Sequence, residues 1–199
     1  GTSWVRAAGT AVFRRGLQRA QRFEHGAWLP PLQEGYTRAI PLRFLPAFPA
    51  KAVASCATTM QEWGAGLQFV CWVRQGLDQA GRLEQRLMVL ADGAYDKVEF
   101  LRGLPAQTIA VVRTARNRVL RDLPPVTQGR GRKRKYGAVV RKPADWLSEK
   151  EGWATTTVPM RGRTIQMRYQ VHGPYLRERV PDRPLWLIVV GGATWMAGK

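Results

Sequence analysis

The most regular pattern of apolar and polar residues in the chain lies between Thr58 and Leu83. Apolar side chains recur there at spacings of three, four and seven, which is typical of a helix with one apolar face. The residues of this stripe are Trp63, Leu67, Val70 or Cys71, and Leu77. Gly81 then stands where a helix would end. The pattern predicts an amphipathic helix over this segment.

Two short, unbroken apolar runs follow the helix and predict strands. They are Leu87–Ala91 and Thr108–Val112, with a short helix predicted over Asp96–Leu101 between them. Unbroken apolar runs are typical of strands that are buried on both faces. The order strand, helix, strand predicts a βαβ unit with parallel pairing. Functional residues of such units gather at the carboxyl ends of the strands, where Asp92 and Arg113 lie.

The flanking segments also contain strand signals. Ile40–Phe44 is predicted to be a short strand whose neighbouring prolines mark its ends. The second half of the chain predicts an antiparallel, β-rich module with strands near 155–158, 164–171 and 185–190. The fold class is therefore predicted to be α/β, with a core over 1–115 and a basic β-rich module over 116–199.

The charge of the chain adds a partner to this picture. There are 32 Lys and Arg residues against 14 Asp and Glu, which gives a net charge of +18. Self-repulsion on that scale favours a polyanionic partner, with nucleic acid first and an anionic membrane surface second. No apolar run reaches the roughly 20 residues that span a bilayer, and no signal-peptide pattern is present. We therefore expect a cytoplasmic protein with no membrane partner.

The basic residues that we expect to contact DNA phosphates form three groups. The candidates are Arg14, Arg15 and Arg19 near the start, Arg113, Arg116 and Arg118 after the second predicted strand, and Arg130, Arg132, Lys133, Arg134 and Lys135 in a glycine-flanked loop. Glycine lets the backbone approach while Arg and Lys neutralise phosphates. The alternative for the loop is a solvated, disordered linker. Alternation along an extended segment would point Arg116 and Arg118 the same way, beside the Asp92 end of the sheet.

Asp92 is the strongest candidate for metal chemistry. A carboxylate at the end of a strand, followed by Gly93, suits Mg²⁺, which takes one or two carboxylates with water and phosphate oxygens. The competing interpretation is that Asp92 caps the helix that follows, and spacing alone leaves the two about even. Asp96 competes for that capping role. One carboxylate does not complete a two-metal site, which needs several around ions roughly 4 Å apart.

The remaining candidates favour structural roles. We expect no zinc site, because the possible ligands lack the required spacing: Cys56, Cys71, His25 and His172. The two isolated histidines are interpreted as ordinary polar residues, and Cys71 as an inert core thiol. Trp146 and Trp153 have the chemistry to stack on an unpaired base, but packing within the protein is favoured for both.

Three motifs together resemble the DDE transposases of bacterial insertion sequences. The run from 87 to 96 with 113–118 resembles the second catalytic segment of that family. The stretch 129–137 is similar to its basic "GRGRxRxYG" stretch, and 1–4 with 14–28 is similar to the segment after its first catalytic acid. The resemblance covers nearly the whole chain and rests on the order and spacing of these motifs.

The resemblance implies a partial ribonuclease H-like core over 1–115, with the β-rich module over 116–199 as an insertion. It implies that Asp92 is the second acid of a catalytic triad and a ligand of Mg²⁺ or Mn²⁺. The first acid is expected before Gly1 and the third after Lys199, so the chain is expected to be an internal fragment, inactive alone and poorly stable at its uncovered sheet edge. The intact enzyme is expected to cleave and join DNA at mobile-element ends and targets, as a homodimer.

Two other interpretations stay open. The first is a basic nucleic-acid-binding protein without catalysis, in which Asp92 is only a helix cap. The second is a ribonuclease H-like nuclease that cuts DNA without joining it. A membrane-surface protein is a distant third, because the basic residues do not lie along an amphipathic helix.

Overall fold

A computed structural model describes residues 3–6, 17–20, 22–30, 38–48, 60–126, 132–160 and 163–195 of the 199-residue chain. The described residues form two compact units. Among the described residues, unit 1 runs up to Arg113 and unit 2 begins at Thr114. No helix in these ranges is long and apolar enough to cross a membrane.

The described residues of unit 1 form three two-stranded sheets. Strands β1 (Ser3–Arg6) and β2 (Leu17–Ala20) pair antiparallel, as do β3 (Arg22–Trp28) and β4 (Ile40–Ala47). Strands β5 (Leu87–Ala91) and β6 (Thr108–Val112) pair parallel, in register from Leu87–Thr108 to Ala91–Val112. The two strands predicted from the unbroken apolar runs, and their parallel pairing, are confirmed.

The long helix of unit 1, α1, spans Glu62–Gln79. The predicted helix is confirmed, and its end agrees with Gly81, which has a φ of 72° that favours glycine. The inward face of α1 joins two apolar clusters. One contains Leu45, Ala47 and Ala65, and the other contains Val70, Phe100 and Leu104.

Glycines let the elements of unit 1 approach one another closely. A Cβ on Gly66 of α1 would lie 2.2 Å from the ring of Tyr95. A Cβ on Gly103 would lie 2.4 Å from Leu67. Glycine is therefore required where the chain between β5 and β6 crosses the helix.

The connection between β5 and β6 consists of a 3₁₀ turn, Gly93–Tyr95, and a short helix α2, Val98–Gly103. The predicted βαβ order is confirmed, with the short helix two residues later than expected. Phe100 and Leu104 from this connection are buried against the helix α1 and the sheet.

The expectation that β5 and β6 are buried on both faces is wrong for the described part of the chain. One face packs on the helices, but on the other Met88 and Leu90 are 63% and 59% exposed, and Ile109 and Val111 are 43% and 45% exposed. The apolar residues are present on both faces, but the described helices cover only one of them.

Two prolines also differ from expectation. Pro41 and Pro46 lie inside β4 and do not mark its ends. Proline is tolerated in a strand that has a partner on one side only, because its missing N–H then breaks no hydrogen bond. Among the described strands, β4 pairs with β3 alone.

A buried arginine fixes the turn that leads from α1 into β5. The Arg74 guanidinium donates to the Asp78 carboxylate at 3.0 Å and to the carbonyl of Arg82 at 2.7 Å. It also donates to the carbonyl of Gln85. These bonds fix the turn that leads into the start of β5.

Unit 2 is predominantly antiparallel β-structure, as predicted. Its elements are β7 (Leu120–Asp122), α3 (Pro143–Leu147), β8 (Ala154–Met160), β9 (Arg163–Arg177) and β10 (Val180–Trp195). The long strand β9 pairs with β10 along one edge and with β7 and β8 along the other. The buried apolar cluster of unit 2 contains Leu120, Leu187 and Val189.

Candidate active site and nucleic-acid interface

Asp92 lies immediately after β5, at the carboxyl end of the parallel pair, and its side chain is exposed. Its extended backbone begins the 3₁₀ turn, and its Oδ1 accepts a hydrogen bond of 2.8 Å from the Ala94 amide. The capping interpretation is therefore confirmed for this turn. Because an Asx cap uses one carboxylate oxygen, it leaves the second oxygen for another ligand.

Asp96 is buried two residues before α2, and Lys97 stands at the N-cap position without a capping hydrogen bond from its side chain. A capping role for Asp96 stays a prediction.

A second carboxylate, Glu24 on β3, lies at the same end of unit 1. The Tyr95 hydroxyl donates a hydrogen bond to it. Burial raises the pKa of Glu24, the Tyr95 hydrogen bond opposes that shift, and the charges of Glu62 and Asp92 add to it. Burial also raises the pKa of Tyr95, and its bond to Glu24 raises it further. The sequence drew attention to Glu24 only as the neighbour of His25, and it did not predict the contact with Tyr95, because 71 residues separate the two.

These acids do not amount to a complete metal site. The described ranges contain no group of three or more His, Cys, Asp or Glu side chains that could hold a metal ion. Asp92 and Glu24 together supply two carboxylates at most.

Arg113 lies at the end of β6, and its side chain is exposed, as the sequence predicted. A Cβ on Gly93 would lie 3.4 Å from the Arg113 carbonyl oxygen, so the two strand ends are in close contact. The Gly93 position thus brings the backbone of Arg113 against the turn that Asp92 caps.

The expected alternation of Arg116 and Arg118 is wrong. Residues 113–119 form a turn and irregular chain, in which the Arg118 amide donates to the Ala115 carbonyl at 3.0 Å. Arg118 is half-buried, and its Nε donates to the Thr114 hydroxyl at 3.3 Å. Arg116 is exposed, while its carbonyl accepts from the Ala144 amide at 2.9 Å. Both belong to unit 2.

The side chains of Arg132, Lys133, Arg134 and Lys135 are all exposed. Four of the predicted DNA contacts lie outside the described residues or have side chains outside them: Arg14, Arg15, Arg19 and Arg130. For Arg19 only the backbone is described, in β2.

The chain after this exposed basic segment is firmly held. The Gly137 amide donates to the Asp122 carbonyl at 2.9 Å, and the Val140 amide donates to the Leu120 carbonyl at 3.0 Å. A Cβ on Gly137 would lie 2.5 Å from the Leu123 carbonyl oxygen. The Tyr136 hydroxyl accepts from the Arg179 amide at 2.8 Å. The exposed basic segment is therefore followed directly by chain that is hydrogen-bonded to β7.

Trp146 and Trp153 are engaged within unit 2, as the favoured interpretation held. Trp146 stacks on His172 with ring centroids 3.7 Å apart, and the Arg141 guanidinium lies 4.4 Å from its ring. Trp153 donates to the Glu149 carbonyl at 2.8 Å, and Arg168 lies over its ring. Both rings therefore pack against side chains of unit 2.

The histidines and Cys71 do not form a site of their own. His25 stacks on Phe44 at 4.4 Å. His172 contacts the Gln170 amide oxygen at 3.0 Å, and burial, with the nearby Arg141 charge, lowers its pKa. Cys71 is exposed on α1, so its assignment to the core is wrong: it falls on the solvent side of the apolar stripe, and Val70 is the buried member. Cys56 lies outside the described residues.

Taken together, the chain is a mixed α/β protein with an acid at the end of a parallel βαβ unit and an exposed basic segment on a second, β-rich unit. A family model described as DDE superfamily endonuclease matches residues 28–174, well over half of the chain. The chain therefore belongs to the DDE superfamily endonuclease family, whose members act on DNA and generally use divalent metals. The match includes Asp92 and the basic segment. Comparison with curated proteins and with solved structures finds no match.

Proposed function

We propose that this chain is part of a DDE transposase of the bacterial insertion-sequence type, which cleaves and joins DNA with the help of Mg²⁺ or Mn²⁺. Asp92 is the catalytic acid that it contributes. The observation that carries the proposal is the position of Asp92, at the carboxyl end of β5 within the family match. In α/β sheets this is the edge at which ligands and substrates gather.

The ribonuclease H-like assignment of unit 1 belongs to the same proposal. The parallel β5–β6 pair and the antiparallel β3–β4 pair, both packed with α1, support it. The further acids that a two-metal reaction needs are supplied from outside the described residues, because the described ones provide too few. The β-rich unit 2 is then an insertion module.

DNA is held, in this proposal, by the exposed basic residues. Four exposed positive side chains follow one another just before the segment that is hydrogen-bonded to β7, which suits contacts to successive phosphates. They are Arg132, Lys133, Arg134 and Lys135. Arg113 stands beside the Asp92 turn, where a scissile phosphate would lie. Further DNA contacts in the proposal are Arg14, Arg15, Arg19, Arg116, Arg118 and Arg130.

The experiment uses the protein expressed from its complete reading frame and the DNA that flanks its own coding sequence. With Mg²⁺ and a target plasmid, the proposal predicts cut flanks and flanks joined to the plasmid. Cutting without joined products favours a nuclease of the same family. The joined products are detected by amplification across the new junction.

A non-catalytic DNA-binding role is the second candidate. The cap that Asp92 forms with Ala94, and the lack of a three-ligand metal group in the described ranges, favour it. It predicts DNA binding that does not depend on divalent metal and no cut product in the same assay.

A further inference from the structure

The long strand β10 of unit 2 has one packed face and one bare face. Its side chains alternate between the two faces over residues 185–190. Leu187 and Val189 are 6% and 5% exposed and belong to the buried cluster of unit 2. The side chains that alternate with them are more than half exposed: Trp186 at 60%, Ile188 at 57% and Val190 at 52%.

The bare face continues across the neighbouring strands. Ile188 pairs with Val171 of β9, and Val190 pairs with Tyr169. Directly paired residues of an antiparallel sheet lie on the same face. Val171 is 51% exposed, and Tyr169 pairs in turn with the exposed Ala154 of β8. The outer face of unit 2 is therefore one apolar surface on three strands, made of Ala154, Tyr169, Val171, Trp186, Ile188 and Val190.

This outer face carries no charged side chain, although the chain as a whole has 32 Lys and Arg residues. The exposed basic residues 132–135 directly precede chain that is hydrogen-bonded to β7, and β7 and β10 pair with opposite edges of β9. Phosphate contacts need positive charge, so the outer face does not suit the DNA backbone. A contiguous apolar surface of this kind is typical of a site that binds another apolar protein surface.

The area of the outer face is enough for a weak dimer. The exposed fractions of its four most exposed side chains correspond to roughly 400 Å² of apolar surface per copy. Two copies packed face to face would remove roughly 800 Å² of this surface from water, and their neighbouring side chains raise the total toward the roughly 1,000 Å² of a specific interface. An uncharged apolar face is also self-complementary, as a two-fold interface between identical chains requires.

We propose that two copies of the chain associate through this outer face, without DNA, by packing their unit 2 sheets face to face. Among the described strands β10 pairs only with β9, so its free edge offers two copies a second way to pair. Edge pairing would leave the apolar face in water, whereas face packing removes that face from water. The interface lies within unit 2 and does not depend on the proposed catalytic role of Asp92.

The first test measures the mass of the nuclease-treated chain by sedimentation equilibrium over a range of protein concentrations. Nuclease treatment removes nucleic acid that would bridge two basic chains. The expected result is a reversible monomer–dimer equilibrium with a Kd on the order of 1–100 µM, in the range of weak association. Raising NaCl from about 0.1 M to about 0.5 M is expected to strengthen the dimer, because salt screens the repulsion between two chains of charge +18.

Lysine substitutions on two strands separate face packing from edge pairing. Ile188→Lys on β10 and Val171→Lys on β9 each place a charge in the outer face, and each is expected to weaken the dimer at least about 10-fold. The control, Val139→Lys, adds the same charge at a residue that is also 57% exposed but bridges Arg121 of β7, and it is expected to leave the dimer unchanged. Ile188→Thr keeps β-branching, so it provides the same test, with weakening of at least about 3-fold, if a lysine variant does not fold.

Four results would overturn the inference. A single monomer mass up to about 500 µM excludes the dimer, and a dimer that nuclease treatment abolishes is held together by nucleic acid. A dimer that Ile188→Lys weakens and Val171→Lys does not is formed by β10 edges. A dimer that both variants leave unchanged, or that Val139→Lys weakens equally, does not use the outer face.

Discussion

Asp92 combines a structural and a proposed chemical role in one side chain, and substitutions can separate them. Asparagine keeps an oxygen that accepts from the Ala94 amide but removes the negative charge, whereas alanine removes both. We predict that Asp92→Ala lowers the free energy of unfolding by about 0.5–2 kcal/mol. Asp92→Asn is predicted to stay close to the parent. Chemical denaturation followed by circular dichroism checks both, and equal losses would contradict the cap.

Glu24 gives unit 1 a specific dependence on pH. Its pKa is raised from the ordinary 4.5 in the folded chain, chiefly by burial. As pH rises, the unfolded chain therefore loses the Glu24 proton at a lower pH than the folded chain does. The stability that this proton contributes is fully present below pH 4.5 and is lost as pH rises through the pKa of Glu24 in the folded chain.

We therefore predict that Glu24→Gln gains stability relative to the parent between about pH 4 and about pH 7. Tyr95→Phe removes a hydrogen bond that lowers the Glu24 pKa, so it is predicted to make the loss with pH steeper. Thermal melts at the two pH values measure both effects. A Glu24→Gln advantage that does not grow with pH would contradict the assignment.

At the scale of elements, helix α1 offers two glycines with opposite expected behaviour. A Cβ on Gly66 would meet the Tyr95 ring at 2.2 Å, while a Cβ on Gly76 meets nothing within 4 Å. We predict that Gly66→Ala costs about 1–3 kcal/mol through overpacking. Gly76→Ala is predicted to gain about 0.5–1 kcal/mol from better helix propensity. Urea unfolding compares the pair, and similar effects of both would contradict the packing of Tyr95 on α1.

The elements that sequence predicted well are those with a strong local signal. Strands β5 and β6 follow from apolar runs and flanking polar residues, and α1 follows from its period. The sequence did not predict that Pro41 and Pro46 lie within β4, because tolerance of proline depends on whether the other edge is paired. It also did not predict the turn at Arg116, because arginines at every second position do not show whether the backbone is extended.

The candidate site was predictable only in part for a related physical reason. The position of Asp92 depends on β5 alone and was placed correctly. Glu24 reaches Tyr95 because β3 packs on α1 at Gly26 and Phe69, a contact between distant segments that no local pattern encodes. The buried Arg74, which fixes the start of β5, is likewise visible only once the turn is folded.

At the scale of the whole molecule, the net charge of +18 predicts binding to DNA that depends strongly on salt. Replacing Arg132, Lys133, Arg134 and Lys135 with Gln is predicted to reduce the slope of log K against log[salt] by about 3 to 4, if each residue neutralises one phosphate. The control replaces four exposed basic residues elsewhere, Arg82, Lys97, Arg102 and Lys150, and keeps the same net charge as the first variant. Equal slopes for both variants would show that the basic segment has no special role.

The proposed catalytic role of Asp92 is tested by measuring the metal-dependent DNA cleavage of the Asp92→Asn variant. The protein from the complete reading frame is compared with this variant on the DNA that flanks its coding sequence, with Mg²⁺ or Mn²⁺. We predict unchanged folding and DNA binding for Asp92→Asn, with cleavage reduced at least about 100-fold, or about 2.7 kcal/mol in the barrier. Cleavage by Asp92→Asn at the parent rate would rule out the catalytic role and leave Asp92 as a cap alone.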